Sequence, residues 1–385
     1  MAEPSPPLGL YIHLPWCVHK CPYCDFNSHA LRGELPHDRY TEALLLDLQR
    51  ELSRAPGRSI ETIFIGGGTP SLFPPEQLAR ILAAVGERLS DNAEITLEAN
   101  PGAVEQGRFS EFRAAGINRL SIGVQSFQAH LLQRLDRIHG ADEARRAAET
   151  ARAAGFQRFN LDLMFALPGQ SLEEALADVD EALALQAPHV SHYQLTIEPN
   201  TVFYRRPPAL PDEELAWQMQ TACGERLQAG GLTRYEVSAW ATPGQTCRHN
   251  LNYWRFGDYL AVGAGAHGKI TDPASGEIRR YRKAKVPELY IQQSLRGSTE
   301  AATWAVPVAE RPLEFLMNAL RLTQGFRLDD FAARTNLPAA TLREDLQPLV
   351  AEGLLVGDGA HYRASRRGYD HLDGLLQRFL PETSP

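Results

Sequence analysis

The sequence predicts an α/β protein whose main body is an open parallel barrel of six strand–helix units. Three observations carry this expectation. A β-rich run, a loop and an amphipathic helix recur roughly every 25–40 residues from Gly9 to about Pro199, and such alternation implies a parallel sheet with right-handed crossovers. Helix signals stand where the alternation needs them: Pro74-Pro75-Glu76 opens one helix, Ser171 caps another with Glu174 three residues on, and Gly116 and Gly155 close two. Glycine-rich and polar anomalies fall near the carboxyl ends of the strand-like runs, the face on which parallel barrels bind ligands. Six units rather than eight make this a (βα)6, partial TIM-type barrel.

Taken in order, strands are expected at 9–14, 60–66, 94–99, 118–124, 158–166 and 190–197, with helices near 37–54, 75–89, 105–115, 141–154 and 171–186. Residues 1–8 form an N-terminal arm, and 9–200 the barrel. Met1–Pro7 lacks the basic and apolar regions of a signal peptide. A mixed connecting region is expected over 201–305, with a proline-rich break at Pro207–Pro211, a helix over 212–229 and a strand running from Asp258 into Gly263. Arg279–Lys285 reads as a short, basic, solvated surface strand. The last segment, 306–385, resembles a winged-helix α+β domain: helices at 314–322 and 328–335, a turn plus third helix over 338–353, then a two-stranded wing over 354–364 turning at Asp358-Gly359. Its reading helix carries Glu344, Asp345 and Glu352 against Arg343 alone, so an interaction or lid role is expected in place of DNA binding.

Composition excludes several classes. The 385 residues are 43% hydrophobic and 22% charged, which suits one large globular domain with one or two smaller ones. A net charge of -8 disfavours nucleic acid as a partner. No apolar run approaches the ~18 residues that span a membrane. Free cysteines without an export signal point to a reducing cytoplasm.

Cys17, Cys21 and Cys24, spaced C-x3-C-x2-C, follow the first strand and can hold one metal centre through one short loop. Cys223 and Cys247 lie far along the chain, so a disulfide framework is disfavoured. Three thiolates fit a Cys3His zinc site completed by His13 or His19, or a four-iron cluster whose last iron is open to a non-protein ligand. The later strand ends supply further chemistry. Gly66-Gly67-Gly68-Thr69-Pro70 lets main-chain groups approach a ligand closely. Glu98 can accept from a hydroxyl pair or an ammonium group, while Gln125, Arg137 and Asp162 offer a donor–acceptor, a fixed cation and a second acceptor. This set suits an amino acid joined to a nucleoside.

C-x3-C-x2-C followed one unit later by G-G-G-T-P resembles the radical S-adenosylmethionine superfamily. The whole chain resembles its branch containing oxygen-independent coproporphyrinogen III oxidase. The resemblance implies a [4Fe-4S] cluster on Cys17, Cys21 and Cys24, with S-adenosylmethionine chelating the open iron and cleaved by one electron from the cluster. It implies adenosylmethionine contacts at Tyr11, Tyr23, Gly67 and Glu98. Gly68, Thr69, Gln125, Arg137 and Asp162 match positions that bind a second adenosylmethionine in the oxidase. Two departures matter: Phe26 stands where the oxidases have a fourth cysteine, and the motif tyrosine is already residue 11. Both point to the oxidase-like group of haem chaperones.

The stretch His249-Asn250-Leu-Asn-Tyr253-Trp254 matches that group's haem-associated H-N-x-x-Y-W motif, and an imidazole beside large aromatic rings is chemically apt for an iron porphyrin. His267 is a second candidate. The function implied is therefore a haem chaperone that passes haem to an acceptor protein. The alternative is a radical enzyme acting on a tetrapyrrole, although the missing fourth cysteine argues against a coproporphyrinogen III dehydrogenase. The resemblance also implies an electron donor, and it allows peripheral contact with a membrane-bound acceptor and a cluster- and haem-dependent dimer.

Overall fold

The computed structural model describes residues 6–102 and 107–380. Its first strand, β1 (Leu8–Leu14), buries every residue except the half-buried Tyr11. Such a continuous apolar run belongs in a strand with neighbours on both sides and cover on both faces. β1 pairs in parallel with β2 (Ile60–Gly67), and the sheet continues through β3 (Leu89–Ala99), β4 (Arg119–Gln125), β5 (Phe159–Phe165) and β6 (His189–Gln194), each parallel to the last. The crossovers carry α1 (His37–Arg54), α2 (Pro75–Val85), α3 (Phe109–Ala114), α4 (Ala129–Arg134), α5 (Ala141–Ala153) and α6 (Leu172–Ala184). Ile12, Ile65, Leu97, Ile122 and Leu161 from the strands pack with Leu44, Leu78, Ala148 and Val179 from the helices in one core.

The capping signals behave as their chemistry requires. Ser171 N donates to Glu174 Oε2 at 2.8 Å, and Glu174 N donates to Ser171 Oγ at 3.2 Å. Gly116 and Gly155 take φ of 103° and 87°, closing their helices in the left-handed region. Four boundaries differ from expectation. The second helix stops at Val85, where Gly86 takes φ 57°, and β3 starts at Leu89 rather than 94. The third described helix spans Phe109–Ala114, and 105–106 lie outside the described residues. The short α4 had no sequence signal beyond Gln128-Ala129. The arm is shorter too: Leu8 already belongs to β1, and the carbonyl of Pro6 accepts from Arg58 at 2.5 Å.

Beyond the barrel, the same sheet grows at both edges. After α7 (Glu213–Ala229), β7 (Thr233–Glu236) and β8 (Ala239–Ala241) add antiparallel strands beside β6. α8 (Arg248–Trp254) then leads to β9 (Asp258–Val262), which lies parallel to β1 on its other side. β10 (His267–Thr271), β11 (Ile278–Lys283) and, after α9 (Pro287–Arg296), β12 (Glu300–Ala305) extend that flank antiparallel. The order is β12-β11-β10-β9-β1-β2-β3-β4-β5-β6-β8-β7. The connecting region is thus two sheet extensions, with β1 held between strands far apart in sequence.

The basic strand corrects a prediction. On β11, Arg279 and Arg282 are exposed, but Lys283 is buried and donates to Asp47 at 2.9 Å, to Glu51 at 2.7 Å and to Thr299 at 2.9 Å. A strand covered by α1 on one face must turn every second side chain inward.

The C-terminal segment has α10 (Arg311–Ala319), β13 (Phe326–Arg327), α11 (Leu328–Thr335), α12 (Ala339–Ala351), β14 (Leu355–Gly357) and β15 (His361–Ala364), with its small sheet ordered β13-β15-β14. Phe315, Phe331, Leu342, Leu346 and Tyr362 form its core together with Phe256 and Ile278 from the sheet extension. Arg280–Glu314 and Arg321–Glu236 ion pairs at 2.6 Å and 2.9 Å tie it to both ends of the large sheet.

Candidate functional site

The loop after β1 is stapled before it carries any chemistry. Trp16-Cys17 pairs in parallel with His29-Ala30, which closes the loop on itself. Lys20 Nζ donates to the carbonyls of Phe26 and Ser28 at 3.2 Å and 3.1 Å. Asn27 Nδ2 reaches across to the carbonyls of Ala264 and Lys285, both at 2.9 Å. Cys17 is buried and Cys21 and Cys24 are half-buried, none of them in a disulfide. Burial raises the thiol pKa of Cys17 and Cys24, and Thr69 and Ser28 respectively oppose the rise through hydrogen bonds.

The glycine run has a different cause from the one expected. A Cβ on Gly67 would stand 2.6 Å from the His13 ring, and one on Gly68 would stand 2.5 Å from the Trp16 carbonyl oxygen. Gly67 also holds φ at 119°, where an L side chain is strained. The amides are engaged within the chain: Gly67 N donates to Glu98 Oε2 at 3.0 Å, Gly68 N to Leu14 O at 2.8 Å and Thr69 N to Trp16 O at 2.7 Å. The triglycine therefore locks β2 onto the cysteine loop and aims Glu98.

A cavity of about 230 Å³ opens at the carboxyl ends of the strands. Cys17, Cys21, Cys24, Tyr23, Gly67, Gly68, Thr69, Glu98, Gln125, Arg137 and Asp162 all line it. Arg137 Nη1 donates to Cys21 Sγ at 3.5 Å, and its Nη2 donates to the Gly123 carbonyl at 2.7 Å and to Asn100 Oδ1 at 2.9 Å. Its buried Nε has no partner among the described residues. Burial opposes the Arg137 charge, but Tyr23 and Cys21 outweigh it and raise its pKa. Asp162 accepts from Asn160 at 2.7 Å and Ser121 at 3.2 Å, and burial raises its pKa. Glu98 is pushed up to about 7 by burial, with Asp162 adding to the rise and the Gly67 amide opposing it. Gln125 sits at φ 69° beside a register shift between β4 and β5, an observed strain of the kind that clusters at functional sites. Asn100 and Tyr193, which donates to Gln125 Oε1 at 2.8 Å, also line this cavity. Their signal was position alone: Asn100 follows the end of β3, and Tyr193 lies near the end of β6.

Tyr11 is not part of this wall. Its hydroxyl meets His13 Nδ1 at 2.9 Å, and its side chain lines a second cavity of about 540 Å³ on the far side of Gly67 and Glu98. Tyr253 and Trp254 line that second cavity, whereas His249 and Asn250 line neither. His249 is fully buried, with Nδ1 2.8 Å from Thr62 Oγ1 and Nε2 2.8 Å from the Tyr253 hydroxyl. The imidazole expected at the haem is thus a core residue with both ring nitrogens engaged. The helix periodicity of α8 puts His249 and Tyr253 one turn apart on the same face, with the histidine on the inner side. Cys247 is buried as well, its thiol pushed up to about 12 by burial and Glu94.

An open parallel barrel carrying three cysteines on its first loop, facing an acceptor-rich mouth, defines the radical S-adenosylmethionine class. The family described as "Radical SAM superfamily" matches residues 11–182, and the one described as "HemN C-terminal domain" matches 306–371. The chain is 50% identical over 379 residues to Heme chaperone HemW of Escherichia coli, covering 98% of this chain and 99% of that one. It is 48% identical over 383 residues to Heme chaperone HemW of Haemophilus influenzae, covering 98% and 99%. The solved structure of coproporphyrinogen III oxidase (HemN) from Escherichia coli, 22% identical, superposes with a TM-score of 0.82 over 98% of this chain and 91% of its own, so the fold is shared. The chain belongs to the HemW family of the radical SAM superfamily.

Membership implies a [4Fe-4S] cluster and S-adenosylmethionine, and the residues fit both. His13 Nδ1 meets the Tyr11 hydroxyl and its Nε2 the Asn27 carbonyl, both at 2.9 Å, so His13 does not complete a zinc site, and His19 Nε2 is bound to Asp136 at 2.7 Å. No three His, Cys, Asp or Glu side chains among the described residues converge on one ion. A four-iron cube needs its thiolates spread over separate corners. The unpartnered Arg137 Nε and the protonatable Glu98 are the free polar capacity beside them. No helix among the described residues is long and apolar enough to cross a membrane.

Proposed function

We propose that this protein is a cytoplasmic haem chaperone: it binds haem beside a [4Fe-4S] cluster and adenosylmethionine and passes the haem to an acceptor protein. The observation that carries this reading is likeness over almost the full chain to relatives named heme chaperones, at 50% and 48% identity. Cys17, Cys21 and Cys24 are assigned to the cluster, and Tyr23, Gly67, Gly68, Thr69, Glu98, Gln125, Arg137 and Asp162 to adenosylmethionine. When bound, the cluster supplies one electron at low potential and an open iron for the ligand's amino and carboxylate groups. The chain's own work is positioning. Arg137 is fixed by Gly123 and Asn100, so it offers a preorganised cation next to Cys21. Glu98, held by the Gly67 amide, accepts from an N–H of the ligand's amino group or from the ribose hydroxyls. Burial of both groups keeps water from screening them.

The barrel (9–200) is assigned to the cluster and adenosylmethionine, the connecting region (201–305) to haem through Tyr253 and Trp254, and the C-terminal segment (306–385) to contact with an acceptor. Phe26, 60% exposed, replaces a fourth thiol in the wall between the two cavities and supports carriage over decarboxylation. The test is anaerobic reconstitution followed by two assays. Stoichiometric haem binding and its transfer to a haem-free acceptor are expected. Conversion of coproporphyrinogen III at enzymic rates would instead make the protein an oxidase.

A further inference from the structure

The second cavity is more than twice the size of the first, at about 540 Å³ against about 230 Å³, and its walls differ in chemistry. Phe26, Tyr11, Tyr253, Trp254, Phe256 and Tyr259 give it broad aromatic faces. Tyr253 and Tyr259 pack edge to face with ring centroids 4.6 Å apart, so those faces are fixed. The Trp254 indole N–H is buried without a hydrogen-bond partner among the described residues. Cations line the wall at Lys285, Arg280 and Lys269. Lys269 is consumed by Asp258 at 3.1 Å and Arg280 by Glu314, while exposed Lys285 has no ion pair among the described residues. Two imidazoles line the cavity. His13 is hydrogen-bonded at both ring nitrogens, to Tyr11 and to Asn27. His267, on the exposed side of β10, has no side-chain hydrogen bond among the described residues.

We propose that this second cavity is the iron-porphyrin site, that His267 is the axial ligand of the iron, that Lys285 pairs with a propionate, and that His249 is a positioning residue for Tyr253. The inference rests on the haem reading above and adds the place and the ligand. Its chemistry follows from availability. An iron ligand needs an imidazole nitrogen with a free lone pair, and both His249 nitrogens already serve Thr62 and Tyr253. For His249 to ligate iron, the core between β2 and α8 would have to open and leave Thr62 and Tyr253 unpaired. His267 needs no such rearrangement. Burial and the neighbouring Lys285, Arg282 and Arg280 lower its pKa, which keeps the ring neutral and able to coordinate. Gly67, Glu98, Asp25 and Phe26 wall both cavities, so haem there would lie directly behind the cluster loop.

The test compares ferric haem with metal-free protoporphyrin IX, which needs no axial ligand, on the full-length protein. His267→Ala is expected to remove the imidazole–iron signature from the Soret and resonance Raman spectra. It should weaken ferric haem at least about ten-fold while leaving protoporphyrin IX within about two-fold. Lys285→Glu is expected to weaken both porphyrins alike. His249→Gln is expected to retain the imidazole–iron signature and to weaken both porphyrins together, because Tyr253 shifts; circular dichroism and the urea midpoint check that each variant folds. A His267→Ala protein with the wild-type spectrum overturns the assignment. So does a folded His249→Gln protein that loses the signature but keeps protoporphyrin IX. Wild-type protein that binds neither porphyrin would sink the haem reading itself, a result separable from both.

Discussion

Replacing Lys283 by methionine should cost more stability than any exposed charge in the chain. Lys283 Nζ contacts Asp47 Oδ1 at 2.9 Å and Glu51 Oε1 at 2.7 Å, with all three side chains about 1% exposed or less. Asp47 keeps Thr299 at 2.6 Å and Tyr290 at 2.8 Å, and Glu51 keeps Arg54 at 2.9 Å and the Tyr281 hydroxyl. Methionine fills the volume, so the loss is electrostatic: one cation goes and two buried carboxylates remain. Removing one partner of a buried pair costs about 3–5 kcal/mol. Arg54, the remaining cation at Glu51, should hold the loss near the lower figure. At no more than roughly 2 °C per kcal/mol for a chain larger than 150–250 residues, thermal unfolding should fall by up to about 6 °C. Urea titration of variant and wild type measures this. A loss below about 1 kcal/mol would refute the claim that Lys283 neutralises the α1 carboxylates.

Glu98 should give adenosylmethionine binding its own pH dependence. Its folded pKa is raised to about 7, so the stability its proton confers is complete below the ordinary carboxylate range and lost as pH rises through about 7. Affinity of the reconstituted protein for adenosylmethionine should therefore rise between pH 6 and 8, as the carboxylate forms, while Glu98→Gln stays flat; parallel slopes in calorimetry would exclude Glu98 as the acceptor. Gly67→Ala meets His13 at 2.6 Å in a backbone held at φ 119°, and should cost about 2 kcal/mol or more by urea unfolding while displacing Glu98. A midpoint equal to wild type would show that the loop relaxes freely. Ser171→Ala removes one half of the α6 capping box and should cost about 1 kcal/mol without altering haem or cluster binding.

The parallel barrel was legible because its information is local. Strand runs such as Ile60–Gly67, the Ser171/Glu174 cap and the helix-ending Gly116 and Gly155 each declare themselves within a few residues. The same locality exposed the cysteine loop, Glu98, Gln125 and Asp162 on the strands, and Arg137 just past α4, which one cavity gathers. What depended on distant partners was not legible. β9 joins β1 across some two hundred and fifty residues, and Lys283 looks like any surface cation until α1 covers it.

The sequence by itself determined the residue types and the order in which the strands present them. Tertiary structure decided which groups remain free to act. Gly67 and Gly68 are glycines because His13 and Trp16 press on them, and Tyr11 turns from the cluster cavity into the second one. As letters, His249 in its H-N-x-x-Y-W motif is the first candidate metal ligand and His267 the second. Packing buries the first with both nitrogens taken and leaves the second open at a cavity wall, because hydrogen-bond capacity is spent by neighbours that only the fold brings into contact.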